Sequence, residues 1–137
     1  MSTPGLPTSN VAQEIVELER AALTRWLAGD PSGYLEISDD EVVYFDPFVA
    51  SRIDGLDALR AYYEPLIGKV HADRFELIRP LVQHTAEMAV LTFGLVSCGA
   101  SDGALHWNCT EVFRCGALGW KIIQTHWSFT ASAKQPP

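Results

Sequence analysis

The hydrophobic period of this chain changes once, near Arg74, and that change constrains its fold more than any other feature. Before it, apolar residues recur at three- and four-residue spacing; after it they alternate or run on for about ten residues between turn signals. Helices first and a strand meander afterwards predict an α+β fold with the helices on one face of an antiparallel sheet. A chain of 137 residues, 47% of them hydrophobic, has material for one core. The expected organisation is a flexible N-terminus over 1–9, a single domain over 10–130 and a flexible tail over 131–137.

Asn10 and Gln13 form a plausible capping pair, and Val11, Ile15, Leu18, Ala22 and Trp26 follow at helical spacing until Gly29. Asp30-Pro31-Ser32 offers a fresh cap for a short second helix carrying Tyr34, Leu35 and Ile37. That helix should end in an acidic turn, Asp39 to Glu41, before a strand over Val42 to Phe45. Gly55 opens a third helix with Leu56, Leu59, Tyr63 and Leu66 or Ile67 along one side, kinked or closed by Pro65. Four strands then follow from Arg74, including Met88 to Cys98, Leu105 to Cys115 and Trp120 to Phe129.

The formal net charge is −7, and residues 30–57 hold eight of the acids against Arg52 alone. This balance lacks the basic footprint that phosphates demand, so neither nucleic acid nor an anionic membrane is an expected partner. The start of the chain has no basic and apolar leader, and no run reaches membrane-spanning length. Three cysteines, Cys98, Cys109 and Cys115, without CxxC spacing, are expected to be reduced thiols in a cytoplasmic protein. His106 and Cys109 fall on opposite strand faces, so no metal is expected, and no cofactor fingerprint occurs.

Two constellations could carry chemistry. Tyr44 and Asp46 are two apart at the end of a strand and can present a phenol and a carboxylate to one space, a pairing suited to proton transfer. Alternatively Asp46, preceding Pro47, caps the turn after the strand. Glu111 lies mid-strand among Trp107, Cys109 and Phe113, where a solvated glutamate would be out of place. It is either a second pocket carboxylate or the partner of a basic side chain from a neighbouring element or a second copy. Trp107 and Trp127 are the tryptophans best suited to line a pocket; His126 lies on the opposite face of the last strand from Trp127, and from the residues alone which of the two faces the pocket stays open.

Tyr44-Phe45-Asp46-Pro47, Ile53-Asp54-Gly55-Leu56-Asp57 leading into Arg60-Ala61-Tyr62-Tyr63-Glu64, Thr110-Glu111-Val112-Phe113-Arg114 and Trp120 to Ser128 occur in an order and spacing that resemble a known family. From Leu18 to Ser128 the chain resembles the association domain of calcium/calmodulin-dependent protein kinase II, and more broadly the nuclear transport factor 2-like, SnoaL-like superfamily. The resemblance implies a cone: a curved antiparallel sheet wrapped round N-terminal helices and enclosing a pocket. It places Tyr34 at a pocket tyrosine, Leu59 and Ile67 at a pocket histidine and tryptophan, and Gly94, Glu111 and Trp127 at or near pocket arginines. The cavity is therefore expected to be more apolar, without fixed positive charge. Tyr44 and Asp46 also resemble the water-holding tyrosine and asparagine of the limonene epoxide hydrolase branch.

These observations lead to an expected homodimeric pocket protein for an uncharged or weakly polar organic ligand. Asp46 and Tyr44 are its candidate catalytic pair, and Tyr34, Leu59, Ile67, Trp107, Glu111 and Trp127 its candidate ligand contacts. Whether it catalyses cofactor-free acid/base chemistry or serves as a non-catalytic association module stays open at this level, because the fold hosts both.

Overall fold

The structure, a computed structural model, describes residues 10–99 and 103–130. Helix α1, Val11–Trp26, starts where Asn10 Oδ1 accepts the Gln13 N–H at 2.9 Å and buries Ile15, Glu19, Ala22 and Leu23. Helix α2 spans Ser32–Glu36 and α3 spans Leu56–Tyr63, the latter continued by a 3-10 turn over Glu64–Leu66. The strands are β1 Ser38–Phe45, β2 Ile53–Asp54, β3 Arg74–His84, β4 Met88–Cys98, β5 Ala104–Gly116 and β6 Gly119–Phe129. No helix among the described residues is long and apolar enough to cross a membrane.

The six strands form one curled sheet in the order β2-β1-β6-β5-β4-β3. The β3–β4, β4–β5 and β5–β6 ladders are antiparallel and long, giving the expected meander. The β1–β6 pairing is parallel, so the sheet is mostly rather than wholly antiparallel. Odd-numbered residues of β4, Ala89 to Ser97, face inward and are buried, while the even-numbered ones are half-buried on the outer face. Under the helices, Ile15, Leu23, Leu59, Leu91, Phe113 and Ile122 are almost fully buried, each gaining roughly 1.5–3 kcal/mol over exposure.

The acidic stretch is not a turn. Asp39, Asp40 and Glu41 belong to β1, whose start is fixed by the Ile122 N–H donating to the Ile37 carbonyl at 2.7 Å, and Arg114 from β5 lies 3.3 Å from both Asp39 and Glu41. A neighbouring strand and a counter-charge override the local turn signal. Ile37 correspondingly lies beyond α2 rather than within it.

Candidate functional site

A cavity of about 430 Å³ opens between the helices and the inner face of the sheet. Leu23, Trp26 and Leu27 from α1, Tyr62 and Tyr63 from α3, Leu95 and Ser97 from β4, Trp107 from β5 and Trp127 and Phe129 from β6 contribute to its wall. Among the described residues no lysine or arginine lines it, and Asp46 is its one carboxylate. The polar character lies mainly at Asp46 and a set of tyrosines, with His71 and Ser97 as further polar groups of the wall.

Asp46 follows the last residue of β1. Its Oδ2 accepts the Tyr44 hydroxyl at 2.8 Å and the Tyr62 hydroxyl at 2.7 Å, and its Oδ1 accepts the Phe48 N–H at 2.8 Å. One carboxylate thus holds the turn at Pro47 and faces the cavity, so the capping and pocket roles coexist. Burial above all holds the Tyr44 phenol well above its usual range, with the nearby Tyr63 and Asp46 adding to it. Tyr62 is raised for the same first reason, followed by its bond to Asp46. Both phenols keep their protons and act as donors. The rings of Tyr44 and Tyr62 lie 5.8 Å apart, and Tyr63 meets Tyr44 edge-on at 5.7 Å.

On the sheet side, Trp127 packs edge-to-face on Phe93 and on Trp107, both at 5.7 Å. Trp127 lines the cavity, whereas His126 is exposed on the opposite side with its ring 5.1 Å from Phe45. Tyr34 lines the cavity as well, but its hydroxyl points away into the core and donates to Glu19 Oε2 at 2.5 Å.

Three expected ligand contacts lie elsewhere. Leu59 is 2% exposed and sits in the core beneath α3, outside the cavity wall. Ile67 is 60% exposed; the 3-10 turn that Pro65 introduces has three residues per turn, so Leu66 rather than Ile67 follows Tyr63 onto the wall. Glu111 is wholly buried, but its neighbour is the carboxyl of Glu19, with no basic partner and no place in the cavity wall. Burial, then the proximity of Glu19, holds the Glu111 carboxyl well above the usual range. Glu111 has the Glu19 carboxyl and the Cys109 thiol as its polar neighbours, and with no other side chain or backbone group among the described residues within hydrogen-bond distance of the Glu111 oxygens or Glu19 Oε1, a proton between the two carboxyls and the thiol hydrogen are what can satisfy them.

Tyr62 and Glu19 escaped the sequence reading, although each carried a signal. Glu19 lies four residues after Ile15 and three before Ala22, on the buried stripe of α1. Tyr62 precedes the core residue Tyr63 in α3, one-quarter of a helical turn from it, which leaves it facing the end of β1.

No curated protein matches the chain significantly. Among solved structures, a candidate ketosteroid isomerase from Parabacteroides distasonis is 44% identical over 93% of either chain, with a TM-score of 0.81. A ketosteroid isomerase-like protein from Erwinia carotovora atroseptica, 19% identical, covers 90% of this chain and 98% of its own with a TM-score of 0.72. The calcium/calmodulin-dependent protein kinase II hub of S. rosetta, 24% identical, covers 93% of this chain and 100% of its own at 0.71. These last two share the fold. The sequence profile of the SnoaL-like domain matches residues 19–132, and the chain belongs to that family within the nuclear transport factor 2-like superfamily.

Proposed function

We propose that residues 10–130 form a single cytoplasmic pocket domain of the isomerase type. It binds an uncharged or weakly polar organic molecule and moves a proton on it without a cofactor, with Asp46 as proton acceptor and Tyr44 and Tyr62 positioning it. The reading is carried by one observation: a carboxylate with two phenol donors on one oxygen stands at the wall of a cavity otherwise dominated by aromatic and aliphatic side chains. Closeness to the candidate ketosteroid isomerase supports proton transfer on a ring substrate as the reaction class. A carboxylate in that setting can take a proton from a bound molecule and return it at another atom, and the apolar wall keeps bulk water from competing.

The test is solvent exchange. A panel of cyclic ketones and their enol forms is incubated with the protein in deuterated water and followed by NMR. Wild-type protein accelerates exchange of at least one member over buffer. Asp46→Asn abolishes that acceleration, by about a hundredfold or more, while Tyr44→Phe lowers it less. An Asn variant that exchanges as fast as wild type removes Asp46 from the chemistry.

A further inference from the structure

The polar end of the cavity offers lone pairs, its hydroxyl hydrogens being committed: Tyr63, the third phenol of the wall, has the Tyr44 oxygen beside it as hydrogen-bond partner. The Tyr44 and Tyr62 hydroxyl hydrogens both point at Asp46 Oδ2, and the Phe48 N–H is engaged by Oδ1. A carboxylate has about four acceptor sites, so roughly one remains on Asp46, together with the free lone pairs of the two phenol oxygens. A ligand oxygen that only accepts would have to turn a tyrosine hydrogen away from the carboxylate. That breaks a charge-assisted hydrogen bond, the stronger kind, and leaves a lone pair facing a lone pair. Tyr34 offers no substitute, because its hydrogen is held by buried Glu19. Ser97 and the indole N–H groups are further donors of the wall, but they are no part of the hydrogen-bond set around Asp46.

Flat rings share the rest of the wall with aliphatic side chains. Trp107 and Trp127 meet at a near-right angle on the sheet side, Trp127 backed by the core residue Phe93, and Tyr44 and Tyr62 tilt across from β1 and α3. Such an array presents ring faces and edges that suit another planar ring.

The geometry points to a ligand class: a planar, largely apolar ring molecule that donates an O–H or N–H to Asp46, rather than one that presents a carbonyl or carboxylate oxygen there. The inference rests on the pocket reading above and specifies the tautomer held: for the ketones of the exchange panel it is the enol, whose O–H meets Asp46 and whose proton is returned at carbon.

Four bicyclic probes of similar size separate the cases: indole carries an N–H, its near-isostere benzofuran and 1-methylindole lack it, and 1-indanone presents a carbonyl. The full chain, labelled with nitrogen-15, is titrated with each and the dissociation constant read from amide shifts. Indole is expected to bind about tenfold more tightly than the other three, the factor typical of a hydrogen bond to a charged group. In Asp46→Asn that advantage should shrink to about threefold or less. Tyr62→Phe, a separate variant that removes one committed hydrogen, should keep or enlarge it. If 1-indanone binds wild type as tightly as indole with shifts at the cavity, the donor assignment is overturned and the pocket stands. If the advantage collapses in Tyr62→Phe, the tyrosine rather than the carboxylate receives the ligand, and the assignment is again wrong. If none of the four shifts the cavity amides, the assignment falls together with the pocket reading. Turnover is not measured here, so a failure of the exchange experiment leaves this outcome independent.

Discussion

Glu19 and Glu111 place two carboxyl groups in a core that, among the described residues, provides no cation for either. Burial is the largest influence on both, and it disfavours their charged forms; for Glu111 the adjacent Glu19 adds to it, whereas for Glu19 the bonds to Glu111 and Tyr34 partly offset it. With folded-state affinity for protons raised, the pair stabilises the fold fully below the ordinary carboxylate range. That contribution is lost as pH climbs from there towards the point at which the folded pair ionises, because over this window the unfolded chain releases protons that the folded one retains. Cys109 packs beside them, its thiol pushed up first by burial and then by the two carboxyls, so it stays neutral and adds no further negative charge. Glu111→Gln should therefore flatten the dependence of the melting temperature on pH and raise it at pH 8. A gain of ~1 kcal/mol corresponds to roughly 4 °C for a chain of this size. Thermal melts of both proteins from pH 5 to pH 8 check this, and a variant as steep as wild type would move the titrating site elsewhere.

Two glycines join the helices to the sheet. Gly29, with φ of +92°, follows α1, and its carbonyl accepts the Gly68 N–H at 2.8 Å, while the Leu27 carbonyl accepts the Ala72 N–H at 3.1 Å. This clasp brings Leu27, Leu66, Val70 and Ala72 to one end of the cavity. A Cβ on Gly29 would stand 3.1 Å from the Gly68 Cα, whereas a Cβ on Gly68, at φ of +76°, meets open space. Both substitutions to alanine incur the left-handed backbone strain, about 1 kcal/mol, and only Gly29→Ala adds a backbone clash. Gly29→Ala should thus melt lower than Gly68→Ala, and equal losses would show that the clasp gives way freely. The elements themselves were largely legible: α1 carried its cap and stripe, and β4 to β6 their turns. What local pattern could not convey was pairing between distant segments. The parallel β1–β6 ladder and the strand state of Asp39 to Glu41 depend on partners dozens of residues away, and β2 is a two-residue edge that exists only by pairing back onto β1. The same holds at the site. Tyr44 and Asp46 share a face by period alone, but the third member, Tyr62, reaches Asp46 from sixteen residues on.

At the scale of the whole molecule, the sheet leaves an outer face and two edges for association. The β3 edge is poorly suited to pairing with another strand. Its register shifts between Ile78 and Leu81, where Arg79 takes a φ of +51° and Pro80 provides no N–H. The β2 edge is two residues long. The outer face is broader, and it is mixed: Ile78, Leu81, Val90, Val96 and Val112 form an apolar area on β3 to β5, while Asn108, Thr110, Gln124 and His126 bring polar groups beside it. Leu81 is 53% exposed, so part of this area faces solvent in a single copy. An isologous pairing of two such faces would cover the apolar part and let the polar strip form hydrogen bonds across the two-fold axis. The expected state is a homodimer through this face, visible by light scattering at micromolar concentration. Thr92→Arg, between Leu81 and Thr110 on the outer side of β4, would bring two like charges near the axis and should yield a monomer. Because Thr92 faces away from the cavity wall, indole binding in that monomer should stay within about twofold of wild type. A wild-type chain that scatters as a monomer would refute the pairing, and a dimer indifferent to Thr92→Arg would shift it to another surface.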